Sequence, residues 1–85
     1  MKKEVAIHLK DKSEWDQLMS IFDACNLRWR SDRKAKEIDL FGRFKEYTCV
    51  WVTDIYRIAS DSVLYVKAYT DKKIVSLQQF MDGEF

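Results

Sequence analysis

The most regular pattern of apolar and polar positions in this chain is helical and runs from Asp11 to Asn26. Apolar residues recur within it at spacings of three and four, so they share one stripe of a helix. That stripe consists of Trp15, Leu18, Met19, Phe22 and Cys25. Ser13 is the expected N-cap with Asp11 as the second option, and Asn26 is the expected C-terminal stop. Because an isolated helix of this length is marginal in water, the stripe needs an apolar partner surface.

Segments with strand-like alternation lie on both sides of this helix. Residues 4–10 alternate between aliphatic and mainly polar positions, which predicts a half-buried strand. Residues 27–31 alternate again, with Leu27 and Trp29 on one side and two arginines on the other. A strand, a helix and a strand in this order suit a helix that lies across the sheet it connects.

Tyr47–Thr53 carries the clearest strand pattern of the chain. One face would hold Thr48, Val50 and Val52, and the other would hold Tyr47, Cys49, Trp51 and Thr53. Neither face is strongly polar, which is typical of a central strand covered on both sides. The sequence predicts one long helix, which can cover one face of this strand. Either the later chain folds over the second face, or that face stays exposed as an apolar surface prone to association.

The remaining segments give weaker patterns. Residues 32–37 are charged and predict an exposed loop, whereas residues 38–44 predict an irregular or edge segment anchored by apolar side chains. Residues 55–59 can form a short strand. Residues 60–70 are ambiguous: the propensity of VLYVKAY favours a strand, and Ser60-Asp61-Ser62 could instead cap a short helix. We predict a strand there.

The C-terminal part predicts a short strand at residues 74–76, followed by a helical turn at residues 77–81 with Ser76 as N-cap. The whole chain, residues 1–85, is expected to form one α+β domain. Its predicted architecture is one antiparallel or mixed sheet of four or five strands, with one long amphipathic helix packed on one face.

Composition restricts the class of protein. The chain has 85 residues and a formal net charge of +1, and its five Phe, four Tyr and three Trp supply the large apolar areas that a small core requires. No stretch is apolar enough to predict a membrane span, and charges interrupt the N-terminus where a signal peptide would need an apolar run. We therefore expect a cytoplasmic protein. In that compartment Cys25 and Cys49 are expected to be reduced, buried and unpaired rather than a disulfide or metal ligands.

Catalytic chemistry has little support in the sequence. His8, the only histidine, falls on the polar side of its predicted strand, and no nucleophile, phosphate-loop or metal-site motif is present. The aspartates Asp54, Asp61 and Asp71 stand beside predicted turns, where capping explains them. We expect no enzyme activity, no cofactor and no metal.

Basic residues interleaved with aromatic ones give the strongest functional signal. Cations can neutralise phosphates and aromatic faces can stack on bases, although the same cations can form a solvated rim or a protein-binding rim. The candidate binding residues are Arg28, Trp29, Arg30, Arg33, Lys34, Lys36, Arg43 and Trp51. The near-neutral total charge argues against a protein that coats nucleic acid without specificity.

Several short motifs resemble those of small single-domain accessory proteins of bacteriophages and prophages. They are the helix motif SEWDQLM, Asn26–Ser31 (NLRWRS), Tyr47–Val52 (YTCVWV) and Ile74–Phe80 (IVSLQQF). Many of those proteins carry Gly where this chain has Asp32, and Gly-Tyr where it has Lys72-Lys73. The resemblance implies a phage accessory protein in the host cytoplasm, of a kind that blocks a host enzyme or defence system by binding.

Two functional hypotheses follow. The first is a non-enzymatic binding module, encoded by a phage, that inhibits a host or defence protein by occupying its surface. The alternative is a nucleotide or single-stranded nucleic-acid binder that uses residues 28–51. Homodimerisation is a further expectation if nothing else covers Cys49 and Trp51.

Overall fold

The element order places a helix of 13 residues early in the chain and shorter helices after it. The structure, a computed structural model, describes residues 5–83. Its strands are β1 (Val5–Leu9), β2 (Arg28–Trp29), β3 (Thr48–Val52), β4 (Arg57–Ser62) and β5 (Lys73–Ser76). Its helices are α1 (Lys12–Ala24), α2 (Phe41–Phe44), α3 (Val63–Tyr69) and α4 (Leu77–Asp82), with 3-10 turns at Ala35–Glu37 and Lys45–Tyr47.

The described strands form one mixed sheet in the order β2-β4-β3-β1-β5. β3 lies at its centre and pairs antiparallel with β1 and β4, whereas the outer pairs β1–β5 and β2–β4 are parallel. This arrangement confirms the predicted α+β class with one mixed sheet of five strands. α1, with 13 residues, is the longest helix of the described chain; the others have four to seven residues.

The larger core lies between α1 and one face of the sheet. The apolar stripe of α1 buries Trp15, Leu18, Met19 and Phe22 there. From the sheet, alternate strand positions point to the same side, because successive side chains of a strand face opposite ways. Ile7, Val50 and Ile58 are among them.

The ends of α1 differ from the prediction in two respects. Asp11, not Ser13, is the N-cap, since its carboxylate accepts the backbone N–H of Glu14 at 2.9 Å. Asn26 does stop the helix: it has φ 60°, and the N–H of Leu27 donates to the Phe22 carbonyl at 2.9 Å in a Schellman closure. Cys25 was expected in the buried stripe but is exposed, because the helix ends one residue before it.

The second face of the sheet is covered by α3, which replaces the later part of the strand predicted for residues 60–70; residues 60–62 belong to β4 and are a strand as predicted. The Ser62 hydroxyl accepts the N–H of Tyr65 at 3.1 Å and so caps a helix. Val63 and Val66 then lie one turn apart and pack on Ala6 and Cys49. For residues 63–69 the strand prediction was wrong, because this cap and the three-residue apolar spacing outweigh the β propensity of the valines and tyrosines.

The segments between α1 and β3 are more ordered than predicted. Residues 32–37 are not a simple exposed loop, because a 3-10 turn there buries Ala35 completely. Residues 38–44 end in the single helical turn α2. The strand predicted for residues 27–31 shortens to Arg28–Trp29, with consequences for the edge of the sheet.

The C-terminal prediction is confirmed. β5 adds to β1, and Ser76 caps α4 by accepting the N–H of Gln79 at 3.1 Å, while the Gln79 side chain accepts the N–H of Ser76 at 3.0 Å. Both cysteines are free; Cys49 is buried as expected. Within residues 5–83 we find no helix with the length and apolarity needed to cross a membrane.

Candidate interaction surface

β4 has an open edge because its outer neighbour is short. β2 pairs with Arg57 and Ile58, and within residues 5–83 the rest of β4 has no neighbouring strand on that side. Directly after Trp29 the chain turns back: the N–H of Asp32 donates to the Trp29 carbonyl at 2.8 Å, and Asp32 has φ 67°. This turn takes the chain away from β4 and creates the opening.

The backbone of Ser60 points into that opening. In an antiparallel ladder, alternate residue pairs exchange both backbone hydrogen bonds. The N–H of Thr53 donates to the Arg57 carbonyl at 2.8 Å, so alternation directs the backbone groups of Ala59 and Asp61 towards β3. The Ser60 hydroxyl donates to the Cys49 carbonyl at 3.0 Å, which agrees with this register because that carbonyl must then face β4. The N–H and C=O of Ser60 consequently face the open side.

A groove of about 530 Å³ occupies the opening. Its volume falls within the range of about 300–1,000 Å³ that small-ligand pockets in proteins show. One wall of the groove consists of side chains that pack against the larger core. The other wall lies on the face of the sheet that α3 covers, so the groove runs along the edge of β4. The lining residues are Trp29, Arg30, Ser31, Ile38, Leu40, Trp51, Ile58, Ala59, Ser60, Asp61 and Tyr65.

Aromatic side chains extend the groove onto the surface of α3. Tyr65 is 43% exposed and its ring packs on that of Tyr69, which is 77% exposed, with 5.1 Å between ring centroids. Trp51 is half-buried, and the Lys72 ammonium lies over its ring at 5.5 Å. α3 therefore covers the Cys49 part of the second face of β3, as the first of the two sequence alternatives expected, and Trp51 lies half-buried beside this cover.

Two charged side chains stand at the groove. Arg30 is exposed, and within residues 5–83 its guanidinium has no hydrogen bond or ion pair. Asp61 is half-buried, and its carboxylate accepts the N–H of Ser62 at 2.7 Å. The groove thus presents one cation and one carboxylate among mainly apolar side chains.

The predicted site residues separate into two groups. Trp29, Arg30 and Trp51 line the groove, although Trp29 is only 5% exposed. The Trp29 ring stacks against Trp15 and its Nε1–H donates to the Ala35 carbonyl at 3.1 Å, so its faces belong to the core and are not available to a base.

The other predicted site residues lie outside the groove. Arg28 donates to the Asp32 carbonyl at 3.0 Å, and Arg33 forms an exposed ion pair with Glu37 at 3.8 Å. The remaining three cations are exposed: Lys34, Lys36 and Arg43. The backbone of Lys34 pairs with that of Arg28 in an isolated bridge. Among the six predicted basic residues, Arg30 lines the groove and the other five do not.

Lys36 borders a second hollow of about 300 Å³ between α1 and residues 38–39. The Lys12 ammonium bridges the carboxylates of Asp39 and Asp16 there. The hydrogen bond to Asp39 raises the pKa of Lys12, and the same bond lowers the pKa of Asp39. Since all three side chains are about half exposed or more, this cluster fastens the loop to α1 and contributes little stability.

The polar groups that could serve catalysis have structural partners. His8 Nε2 lies 2.6 Å from the Glu46 carbonyl, which ties the ring to the backbone. Burial raises the pKa of the Cys49 thiol to about 11, so the thiolate is scarce at neutral pH. In the described part of the chain no three His, Cys, Asp or Glu residues are grouped as a metal site would require.

The groove residues that the sequence does not single out as binding residues include Ser60, Asp61 and Tyr65. Ser60 and Asp61 lie in β4, in the part of residues 60–70 that is a strand as predicted, whereas Tyr65 lies on α3. The signal that places Tyr65 on a helix is the pair of Ser62 as N-cap and Val63/Val66 as a buried helical spacing.

Burial by α3 also changes the argument for a homodimer, which now depends on Trp51 alone because Cys49 is already covered.

Searches of known protein families, of curated proteins and of solved structures gave no match to this chain.

Proposed function

We propose that this chain is a protein-binding module whose contact surface is the groove beside β4 together with the exposed tyrosines of α3. The observation that carries the proposal is the meeting of Trp51, Tyr65 and Arg30 at one groove. Trp, Tyr and Arg are the residue types that dominate the binding energy of protein interfaces. An apolar centre with charges at its margin is also the usual composition of such interfaces.

The resemblance to phage and prophage accessory proteins supports a narrower version of this proposal. In that version the partner is a host enzyme or defence protein in the host cytoplasm, and the chain inhibits it by occupying its surface. No chemistry of its own is needed for this activity.

The test uses the full chain carrying a photo-crosslinker beside the groove, incubated in bacterial lysate. Trp51→Ala and Tyr65→Ala should each reduce the recovery of the crosslinked partner by about tenfold or more, as expected for anchors at the centre of an interface. Met81→Ala is the matched control, because Met81 is 53% exposed but lies on α4, which packs beside the opposite edge strand. A partner whose recovery is lowered equally by all three variants would contradict the proposal.

A second candidate function is binding of a nucleotide or of single-stranded nucleic acid. The observation in its favour is that a half-buried indole, Trp51, and an exposed guanidinium, Arg30, share the groove. Stacking and phosphate contact need this combination. Titration with oligonucleotides and cyclic nucleotides at low and moderate salt should quench the fluorescence of wild type but not of Trp51→Phe. An unchanged signal in wild type would dispose of this candidate.

A further inference from the structure

On the basis of the proposed function, we propose the form that the partner takes: an extended peptide segment that lies in the groove and adds to the sheet as a strand beside β4. The segment takes the place in the sheet where β2 would lie if it continued past Trp29. Strand addition at an open sheet edge is one of the recurring ways in which proteins recognise peptides.

The main chain of β4 supplies the first argument. Ser60 is half-buried, and the register directs its N–H and C=O to the open side, into the groove. Backbone groups that face a partly apolar groove gain more from a hydrogen-bonding partner than those that face open water. An extended peptide supplies one donor and one acceptor at the required spacing, which a flat apolar partner does not.

The walls of the groove supply the second argument. Side chains of an added strand would alternate between the two faces of the sheet. On one face they meet Ile38 and Leu40, and on the other they meet Trp51 and Tyr65. Both faces thus offer apolar contact, and the peptide should carry apolar residues on its two sides within the groove.

Charge supplies the third argument. Arg30 follows Trp29, which pairs with Ile58, so it marks the β2 end of the groove; Asp61 lies three residues further along β4. A complementary peptide therefore carries an acidic residue near Arg30 and a basic residue near Asp61. The two charges also distinguish this groove from a purely apolar one, because they set the direction of the peptide.

A second copy of the chain fits the edge less well. It would bring its own Arg28–Trp29 strand along the same edge of its β4. In a two-fold antiparallel pairing that strand would meet the start of α3 in the first copy, since α3 begins where β4 ends. A peptide without a neighbouring strand of its own avoids this collision.

The experiment begins with the full chain and a displayed library of random peptides of about eight residues, a length that exceeds the usual strand of five or six. Selected peptides are synthesised and their dissociation constants measured. We expect the selected peptides to carry apolar residues at both odd and even positions, which face opposite sides of the sheet. They should also carry an acidic residue towards one end and a basic residue towards the other.

The backbone contact is tested by Ser60→Pro, which removes the N–H that faces the groove, and by Ser60→Ala as the matched control, which removes the hydroxyl and keeps the N–H. Proline is tolerated where the missing N–H points away from the sheet. Ser60→Pro should weaken peptide binding by about tenfold or more, because a peptide carbonyl then loses its donor. Ser60→Ala should change it by about twofold or less.

Amide hydrogen exchange of the unmodified chain provides the same test without a variant, in case Ser60→Pro does not fold. The Ser60 amide should exchange faster than those of Ala59 and Asp61 in the free protein, and the selected peptide should slow it. A Ser60 amide that is protected in the free protein, or is not protected by the peptide, would overturn the proposal.

The charge contact is tested by exchange of partners. Arg30→Glu should weaken binding of the selected peptide by about twofold to fivefold. Replacing the acidic residue of the peptide by Lys should restore binding to that variant. Failure of the restoration would remove the assignment of peptide direction.

The remaining outcomes separate this inference from the proposed function. If no peptide is selected, or if binding responds to Trp51→Ala but not to Ser60→Pro, strand addition is wrong, while crosslinking of a whole partner through Trp51 and Tyr65 still supports the proposed function. If light scattering shows self-association that Ser60→Pro abolishes, the occupant is a second copy and the inference is overturned. If neither peptide nor partner depends on Trp51, both proposals fail.

Discussion

Burial decides the behaviour of the two cysteines. Both stand in patterns that predict burial, yet Cys25 lies just past the last residue of α1 and is exposed, whereas Cys49 is fully buried under α3. Burial disfavours the charged thiolate, and this raises the pKa of Cys49 from 9.0 to about 11. The chemistry of these residues follows from position and not from residue type.

We predict that one thiol of the native protein reacts fast with a disulfide reagent at pH 8 and that the other reacts slowly. The fast one is Cys25, so Cys25→Ser should remove the fast phase. The rate at Cys49 should rise as the pH approaches 11. Stability from burying the neutral thiol is complete below the ordinary pKa of 9.0 and is lost as the pH rises towards 11. Absorbance of the released thiolate measures both rates, and two fast thiols would show that α3 opens readily.

Asp32 shows how much of a single residue's conformation the sequence can reveal. It has φ 67°, a left-handed conformation that Gly adopts freely and Asp tolerates. Its carboxylate also pairs with Arg57 at 3.0 Å. The charged sequence predicts a loop from residue 32, but only the structure shows that the turn at Asp32 ends β2 and opens the edge of β4.

At the scale of elements, the helix caps decide where prediction succeeds. Ser76 was identified correctly because Gln79 completes a capping box. Residues 63–69 form a helix and not the predicted strand, because the Ser62 cap outweighs their β propensity. For α1, Asp11 and Ser13 both precede the apolar stripe, and each has an acidic residue three positions on, Glu14 and Asp16. In the structure the Asp11 carboxylate accepts the N–H of Glu14, which identifies Asp11 as the cap.

The corrected cap of α1 gives a prediction. Asp11→Ala should lower the free energy of unfolding by about 1 kcal/mol, since the N–H of Glu14 then loses its acceptor. Ser13→Ala is the matched control and should change stability by less than about 0.5 kcal/mol, because the Ser13 hydroxyl is solvent-exposed and its one contact, to Gln17, is 3.5 Å long. Urea unfolding followed by circular dichroism measures both. The reverse order of effects would restore Ser13 as the cap.

For the whole molecule, the sheet separates two cores of different size. The larger core joins α1 to the sheet and extends to Trp29 and Phe41, whereas the smaller core consists mainly of Val63 and Val66 on Ala6 and Cys49. The general plan, one helix on one face and partial cover on the other, could be predicted from the two apolar faces of β3. The groove could not, since it depends on the short β2, the turn after it and the start of α3, three non-local features that meet only in the folded chain.

The difference between the two cores predicts two kinds of opening. A domain of 85 residues should have a stability of about 4–13 kcal/mol, and Leu18→Ala in the larger core should remove about 2–5 kcal/mol of it. This variant should speed amide exchange throughout the described chain. Val66→Ala should speed exchange mainly in α3 and at Cys49, because the helix can leave the sheet while α1 stays packed. Leu64→Ala, on the same helix but 66% exposed, is the control and should leave exchange unchanged. If Val66→Ala accelerates the amides of α1 as much as those of α3, the two cores open together, and the groove walls then share the stability of the whole domain.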